Sequence, residues 1–286
     1  MKILDSIATA RHHVRSARLA GKSVAIVPTM GALHEGHLSL IDLGREWCDH
    51  VVATIFVNPT QFGEGEDFSR YPRILQADLE KLRDRNTDAV FVPTDDMMYP
   101  TGFSTRISPP DVAATLEGRH RAGHFIGVAT VVMKLFQILP GTHAIFGRKD
   151  YQQWRTIAAM VRDLNVDIEI VAADIIRDPD GLAMSSRNRY LTPPQRETAL
   201  RLSAALRAAE TAFRSGQRST AVLEKLMTDR LLVESDDGAP VDSVDYAVIR
   251  HADDLSETAH VDGPAVALIA AHVGSTRLID NQSLLP

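Results

Sequence analysis

The chain has 286 residues, 44% of them hydrophobic and 24% charged, the make-up of a globular protein with room for one or two domains. A net charge of −6 and a pI near 6.0 exclude a dominant nucleic-acid surface, which needs a basic stripe. The single cysteine, Cys48, excludes intrachain disulfides and cysteine-cluster zinc sites. No run approaches the roughly 18 apolar residues of a membrane span, and Met1–Ser6 lacks a signal-peptide core, so the expectation is a cytoplasmic enzyme or binding protein.

Residues 1–20 carry Ile3, Leu4, Ile7, Val14 and Leu19 among basic residues and read as one opening helix closed by Gly21. Val24–Val27 is a short, continuous apolar run bounded by Pro28, the pattern of a strand buried on both faces of a parallel sheet. From Gly36 the apolar residues Leu38, Ile41, Trp47 and Cys48 recur near a period of 3.6, which predicts an amphipathic helix. A second strand, His50–Val57, ends at Asn58-Pro59-Thr60-Gln61-Phe62, and Gly63–Asp67 reads as a flexible acidic loop. A helix at about 73–86 and a strand at 89–92 follow.

Residues 97–125 lack periodicity and read as an irregular excursion. A helix at 128–139, a strand at 143–146, a helix from Tyr151 to about Leu164 and a strand at 167–171 complete the first half. Strands alternating with helices of this length predict right-handed crossovers and a Rossmann-like, doubly wound parallel sheet, an α/β domain over residues 1–175. Beyond it, helices at 193–214 and 219–232, a loop at 236–239 and strands at 244–249, 266–271 and 277–279 predict a second, smaller α+β domain over residues 176–286.

The chemistry concentrates at the first strand-to-helix turn. A helix N-terminus offers N–H groups and partial positive charge to an anion. Gly31–Gly36 has the spacing of a phosphate loop, but His37-Leu38 stands where Lys-Ser/Thr is needed, and no G-x-G-x-x-G is present. What remains is His34-x-Gly36-His37: two imidazoles able to donate to charge developing at phosphorus, with a glycine that lets phosphate approach the backbone, or else two ordinary loop histidines. Gly147-Arg148-Lys149-Asp150 lies at a strand end, where ligands sit in open α/β sheets, although a lysine before a helix is also a common surface residue. Ser185-Ser186-Arg187 is a plausible phosphate clamp or a plain loop.

Together, His34-x-Gly36-His37 and Met184-Ser-Ser-Arg187 resemble the paired signatures of the adenylate-forming nucleotidyltransferase superfamily shared with class I aminoacyl-tRNA synthetases. Pro28–His37, Phe56–Phe62, Phe146–Gln153, Asp180–Asn188 and Thr276–Asn281, in that order, resemble the pantoate–β-alanine ligase family, the pantothenate synthetases, over most of the chain. The resemblance implies a homodimer, each chain with a C-terminal lid-like domain, that makes pantothenate, AMP and pyrophosphate from ATP, (R)-pantoate and β-alanine through a pantoyl adenylate.

Position by position, the resemblance implies that His34, His37, Lys149, Ser185, Ser186 and Arg187 are catalytic and hold the ATP phosphates. It places Gly147, Asp150, Ile176 and Met184, with Pro28, Thr29 and Met30, along the nucleotide. Gln61, Gln153 and Met30 would bind pantoate, Gln61 and Asn58 β-alanine, and Asp78 would contact Mg²⁺ through the phosphates. The partners implied are those three small molecules, with no nucleic acid and no membrane.

Two positions depart from the family spelling: Arg148 stands where Glu is usual, and Ile126 where Arg is usual. If residues 146–149 stay extended, Arg148 and Lys149 point to opposite faces. The rivals are a nucleotidyltransferase that releases pyrophosphate but never AMP, and a nucleotide-binding regulator without turnover. An aminoacyl-tRNA synthetase is disfavoured by the missing basic RNA-binding module.

Overall fold

The structure, a computed structural model, describes residues 1–234 and 239–285, so most of the loop expected at 236–239 lies outside the described residues. Two compact units emerge, one of residues 1–148 and 152–174, the other of residues 149–151 and 175–286.

The first unit is a six-stranded parallel sheet in the order β1-β4-β3-β2-β5-β6. The strands are β1 (Lys2–Leu4), β2 (Val24–Thr29), β3 (His50–Ile55), β4 (Ala89–Phe91), β5 (His143–Gly147) and β6 (Glu169–Ala173). Its helices are α1 (Ile7–Leu19), α2 (Glu35–Trp47), α3 (Leu75–Asp84), the short α4 (Asp95–Met98) and α5 (Glu117–His120), then α6 (His124–Ile138) and α7 (Tyr151–Asp163). Alternate side chains of each strand enter different cores, as the two-residue period requires. Val24, Ile26, Phe91 and Phe146 pack with α1, α6 and α7, whereas Ala25, Val27, Val90 and Ile145 pack with α2 and α3. Both faces are covered, and the sheet is doubly wound.

Residues 1–20 are not one helix. Leu4 is fully buried and pairs with Phe91 as an edge strand, and the helix begins only at Ile7, where Ser6 and Thr9 form a reciprocal capping box. Three residues are too few to display a strand period, which is why β1 merges with the helical pattern that follows it. Within the acidic loop, both Glu66 oxygens accept from Arg121 at 2.7 Å. The helix expected from Val128 starts at His124, because Gly123 turns the chain in at φ +80°.

The second unit packs α8 (Pro193–Arg214) and α9 (Thr220–Leu232) on an antiparallel meander of β7 (Ser243–His251), β8 (Ala265–Val273) and β9 (Thr276–Leu284). Pro193 and Pro194 open α8 behind the Thr192 cap, where missing N–H groups leave no helical bond unmade. No helix among the described residues is long and apolar enough to cross a membrane.

Candidate active site

In the first unit the order of strands reverses between β2 and β5: β3 and β4 lie to one side of β2, β6 to the other side of β5. Open α/β sheets bind ligands at such a reversal, beyond the strands' carboxyl ends. The turn after β2 carries His34 and His37; the chain leaves β3 through Asn58 and Gln61 and β5 through Gly147 and Arg148.

His34 is the N-cap of α2 and His37 sits in its first turn, their rings 4.1 Å apart between centroids and tilted by 43°. The His34 backbone N–H donates to His37 Nδ1 in a long bond of 3.4 Å. In the neutral ring that leaves the proton on Nε2, which is then a donor. Thr29, at the end of β2, spends its hydroxyl on Thr54 O at 2.7 Å and accepts from Gly31 N, so its side chain ties the strand ends together.

Met30, Asn58 and Gln61 come together. The Gln61 amide donates to Met30 Sδ at 3.2 Å and accepts from Asn58 Nδ2 at 3.0 Å. Asn58 is 1% exposed, and its other contacts are Gly127 O, Thr60 and the Tyr99 hydroxyl, the last at 2.6 Å. With both ends of its amide engaged, Asn58 fixes Gln61. A Cβ on Gly127 would stand 2.2 Å from Thr60 O, so only glycine lets α6 pack this closely under the loop.

Sequence reasoning also missed His124. Its Nδ1 lies 2.8 Å from Gln61 O, its Nε2 3.1 Å from the Arg121 guanidinium. Because the guanidinium can only donate, Nε2 accepts and Nδ1–H donates: the ring is a neutral clamp on Gln61. Burial first, then the Arg121 charge, pushes its pKa down to about 4. Glu66, in turn, is raised by burial but more than offset by the hydrogen bond and charge of Arg121, and ends below its ordinary value. An isolated His among glycines carries no sequence signal for this role.

Asp78 lies on α3, against the turn after β2. It is 1% exposed, and its oxygens accept from Ala32 N and Leu33 N, each at 2.8 Å. It shapes the turn before His34. Among the described residues no three His, Cys, Asp or Glu side chains converge as a metal site. Gln153 is half-buried near the start of α7; its neighbour Gln152 is buried and bonds to Glu117 N, Val112 O and Thr115 O. Arg148 opens a 3-10 turn, so strand alternation does not set its direction; it binds Asp174 at 3.1 Å, with its guanidinium 5.7 Å from the Trp154 ring centre.

Lys149, Asp150, Ile176, Met184, Ser185, Ser186 and Arg187 belong to the second unit. Ile176 and Met184 face one another across a hairpin, Met184 N donating to Ile176 O at 3.0 Å, with Gly181 at the tip in a left-handed conformation. Ser185 then caps the 3-10 turn Ser186–Tyr190, its hydroxyl accepting from Arg187 N. Arg177 of the hairpin grips buried Asp280 with two bonds of 2.6 and 3.0 Å, and the next residue, Asn281, donates to Lys149 O at 2.9 Å. Lys149 Nζ stands 4.0 Å from an Asp150 oxygen, and the Tyr151 hydroxyl donates to Ala252 O. Asp280 and Asn281 thus anchor both the hairpin and the lysine segment. Both are 3% exposed, and both fall in the Thr276–Asn281 stretch that the sequence singled out.

A doubly wound sheet with a His-x-Gly-His turn at its reversal, and a separate lysine and Ser-Ser-Arg held on a second unit, defines an α/β enzyme of the nucleotide-dependent transferase and ligase type. The model of the pantoate–β-alanine ligase family matches residues 2–283. The pantothenate synthetase of Rhodopirellula baltica is 51% identical over 100% of this chain and 99% of its own, and that of Geobacter sulfurreducens 47% over 98% of each. The crystal structure of pantothenate synthetase from Thermus thermophilus superposes with a TM-score of 0.93 at 39% identity, covering 100% of both chains. That of the Francisella tularensis pantoate–β-alanine ligase, complexed with beta-gamma ATP and β-alanine, gives 0.77 at 33%, covering 99% of this chain and 97% of that one. The chain belongs to the pantoate–β-alanine ligase family, whose members are carbon–nitrogen ligases.

Proposed function

We propose that the chain condenses (R)-pantoate with β-alanine at the expense of ATP, through a pantoyl adenylate. The observation that carries this is the pair of adjacent histidines at the head of α2, at the reversal of the sheet, with Gln61 held by Asn58 and His124 at the neighbouring strand end.

The pantoate carboxylate is ionised at neutral pH, so no base is needed for the first step. Its oxygen attacks the α-phosphorus, and the bond from that phosphorus to the pyrophosphate oxygen breaks. The rate then depends on in-line placement and on donors to the leaving pyrophosphate. His34, His37, Lys149, Ser185, Ser186 and Arg187 take that role in this reading, each a donor to phosphate oxygen. Pro28, Thr29, Met30, Gly147, Asp150, Ile176 and Met184 bind the remainder of the nucleotide.

Gln61 and Gln153 hold pantoate's hydroxyls and carboxylate with neutral amides, which avoids burying a further charge. In the second step the β-alanine nitrogen attacks the acyl carbon, the carbon–oxygen bond to AMP breaks, and the amine gives up a proton. Mg²⁺ would travel with the ATP phosphates, the usual arrangement where protein carboxylates supply no cage, and neutralise their charge. The protein works in the cytoplasm as a homodimer, as its family resemblance implies. An assay of ATP, pantoate and β-alanine that follows AMP and pantothenate together tests the reading: the two should form one for one. Pyrophosphate release without AMP would point instead to simple nucleotidyl transfer.

A further inference from the structure

The turn between β2 and α2 has an unusual backbone. Gly31 and Ala32 are both left-handed, at φ +80° and +51°, and for a residue with a Cβ that conformation is uphill by about 1–2 kcal/mol. Consecutive N–H groups in such a stretch form a concavity for an anion. Here the anion is the protein's own Asp78, whose oxygens each accept one N–H, from Ala32 and Leu33. From the next turn of α3, Lys81 Nζ donates to Leu33 O at 2.5 Å. A Cβ on Gly31 would come within 3.0 Å of Asp78 Oδ2, so the carboxylate is seated hard against the loop.

A second latch runs from the end of α3 to α2: the Arg85 guanidinium bonds to Asp42 and to Glu35, the residue between His34 and Gly36. Leu79 and Leu82 of α3 share a core with Leu33, Leu38 and Ile41. That apolar packing, with the Arg85 ion pairs, ties α3 to α2 independently of Asp78. Burying a carboxylate to 1% exposure is unfavourable unless its hydrogen bonds are made, so packing alone does not account for an aspartate here.

We infer that Asp78, seconded by Lys81, is a positioning residue for adenylation: it locks residues 31–33 in the conformation that presents His34 and His37. The inference rests on the functional reading above, in which those histidines serve the phosphates. Preorganised donors lose much of their effect when displaced by about an ångström.

The experiment measures exchange of labelled pyrophosphate into ATP, with pantoate present, for Asp78→Asn, Lys81→Met, Lys81→Arg, His37→Ala and the double variant Asp78→Asn/His37→Ala. The carboxamide is isosteric but turns an NH₂ toward one of the two amides. Asp78→Asn should therefore lower the exchange rate about 10- to 100-fold, and Lys81→Met about 3- to 10-fold with recovery in Lys81→Arg. Because Asp78 acts through both histidines, the part of its effect that runs through His34 persists in the double variant, but the combined loss should fall short of the product of the two single losses, whereas a merely structural role gives effects that multiply.

A slow His37→Ala together with wild-type exchange in folded Asp78→Asn, or with multiplying effects, would overturn this inference and leave the functional reading standing. Wild-type exchange in His37→Ala would overturn the functional reading itself. If Asp78→Asn does not fold, Lys81→Met decides: unchanged exchange there overturns the positioning role.

Discussion

His124 makes the most quantitative prediction. In the folded chain its Nε2 accepts from the Arg121 guanidinium and its Nδ1–H donates to Gln61 O, so a second proton would set a donor and a positive charge against a donor and a positive charge. Burial and Arg121 together bring its pKa from 6.5 to about 4. In the unfolded chain the imidazole takes up its proton near pH 6.5; in the folded chain it resists until about pH 4. Between those values the unfolded state binds more protons, so stability rises with pH and is lost on acidification. The integrated effect is about 3 kcal/mol between pH 7 and pH 4, with a slope approaching ~1.4 kcal/mol per pH unit midway.

The assay is urea unfolding of the wild type and of His124→Asn, which keeps a donor toward Gln61 O but does not titrate. Both tryptophans, Trp47 and Trp154, belong to the first unit, so fluorescence reports the unit that contains His124. His13 and His50 also lie below their ordinary values, chiefly through burial, but they titrate in both proteins and cancel in the difference. The stability advantage of the wild type over His124→Asn should shrink by about 3 kcal/mol from pH 7 to pH 4. A difference that stays constant over that range, or grows on acidification, would refute the neutral clamp.

Three further predictions concern the reaction. His37→Ala and Lys149→Ala should each slow adenylation by about 10²- to 10³-fold with unchanged circular dichroism, the usual loss for one preorganised donor to developing charge; a folded variant with wild-type turnover would remove that residue from the site. Gln61→Ala should raise KM for pantoate about tenfold or more while moving KM for ATP far less, as steady-state titration of each substrate would show. Arg148→Glu, which restores the family residue, should change kcat/KM for ATP by less than about tenfold, because Arg148 is engaged with Asp174 and Trp154 on a solvent-exposed side where a pair is worth ~1 kcal/mol or less. A change of about a hundredfold or more at unchanged thermal stability would place Arg148 at the phosphates.

The parallel sheet was legible because its strands are buried on both faces and so read as apolar runs, Val24–Val27 above all, which leads into a helix with a 3.6-residue period. What escaped was short or stabilised at long range. β1 has three residues and is defined by pairing with β4, 87 positions away at Lys2 and Ala89. The start of α6 depends on the backbone of Gly123, not on apolar spacing. At the site the motif histidines could be read, but their supports could not. Asn58, Asp78 and His124 are polar residues whose burial and partners arise from contacts 41 to 69 residues apart, and sequence spacing does not encode those. In the folded chain Asn58 and Asp78 hold the residues and backbone beside them.

The most direct measurement is exchange of labelled pyrophosphate into ATP with pantoate and Mg²⁺ present and β-alanine withheld. A reversible adenylation by this chain predicts rapid label incorporation that depends on pantoate and is abolished by its omission. No incorporation, or incorporation only when β-alanine is added, would contradict a pantoyl adenylate formed ahead of the amine.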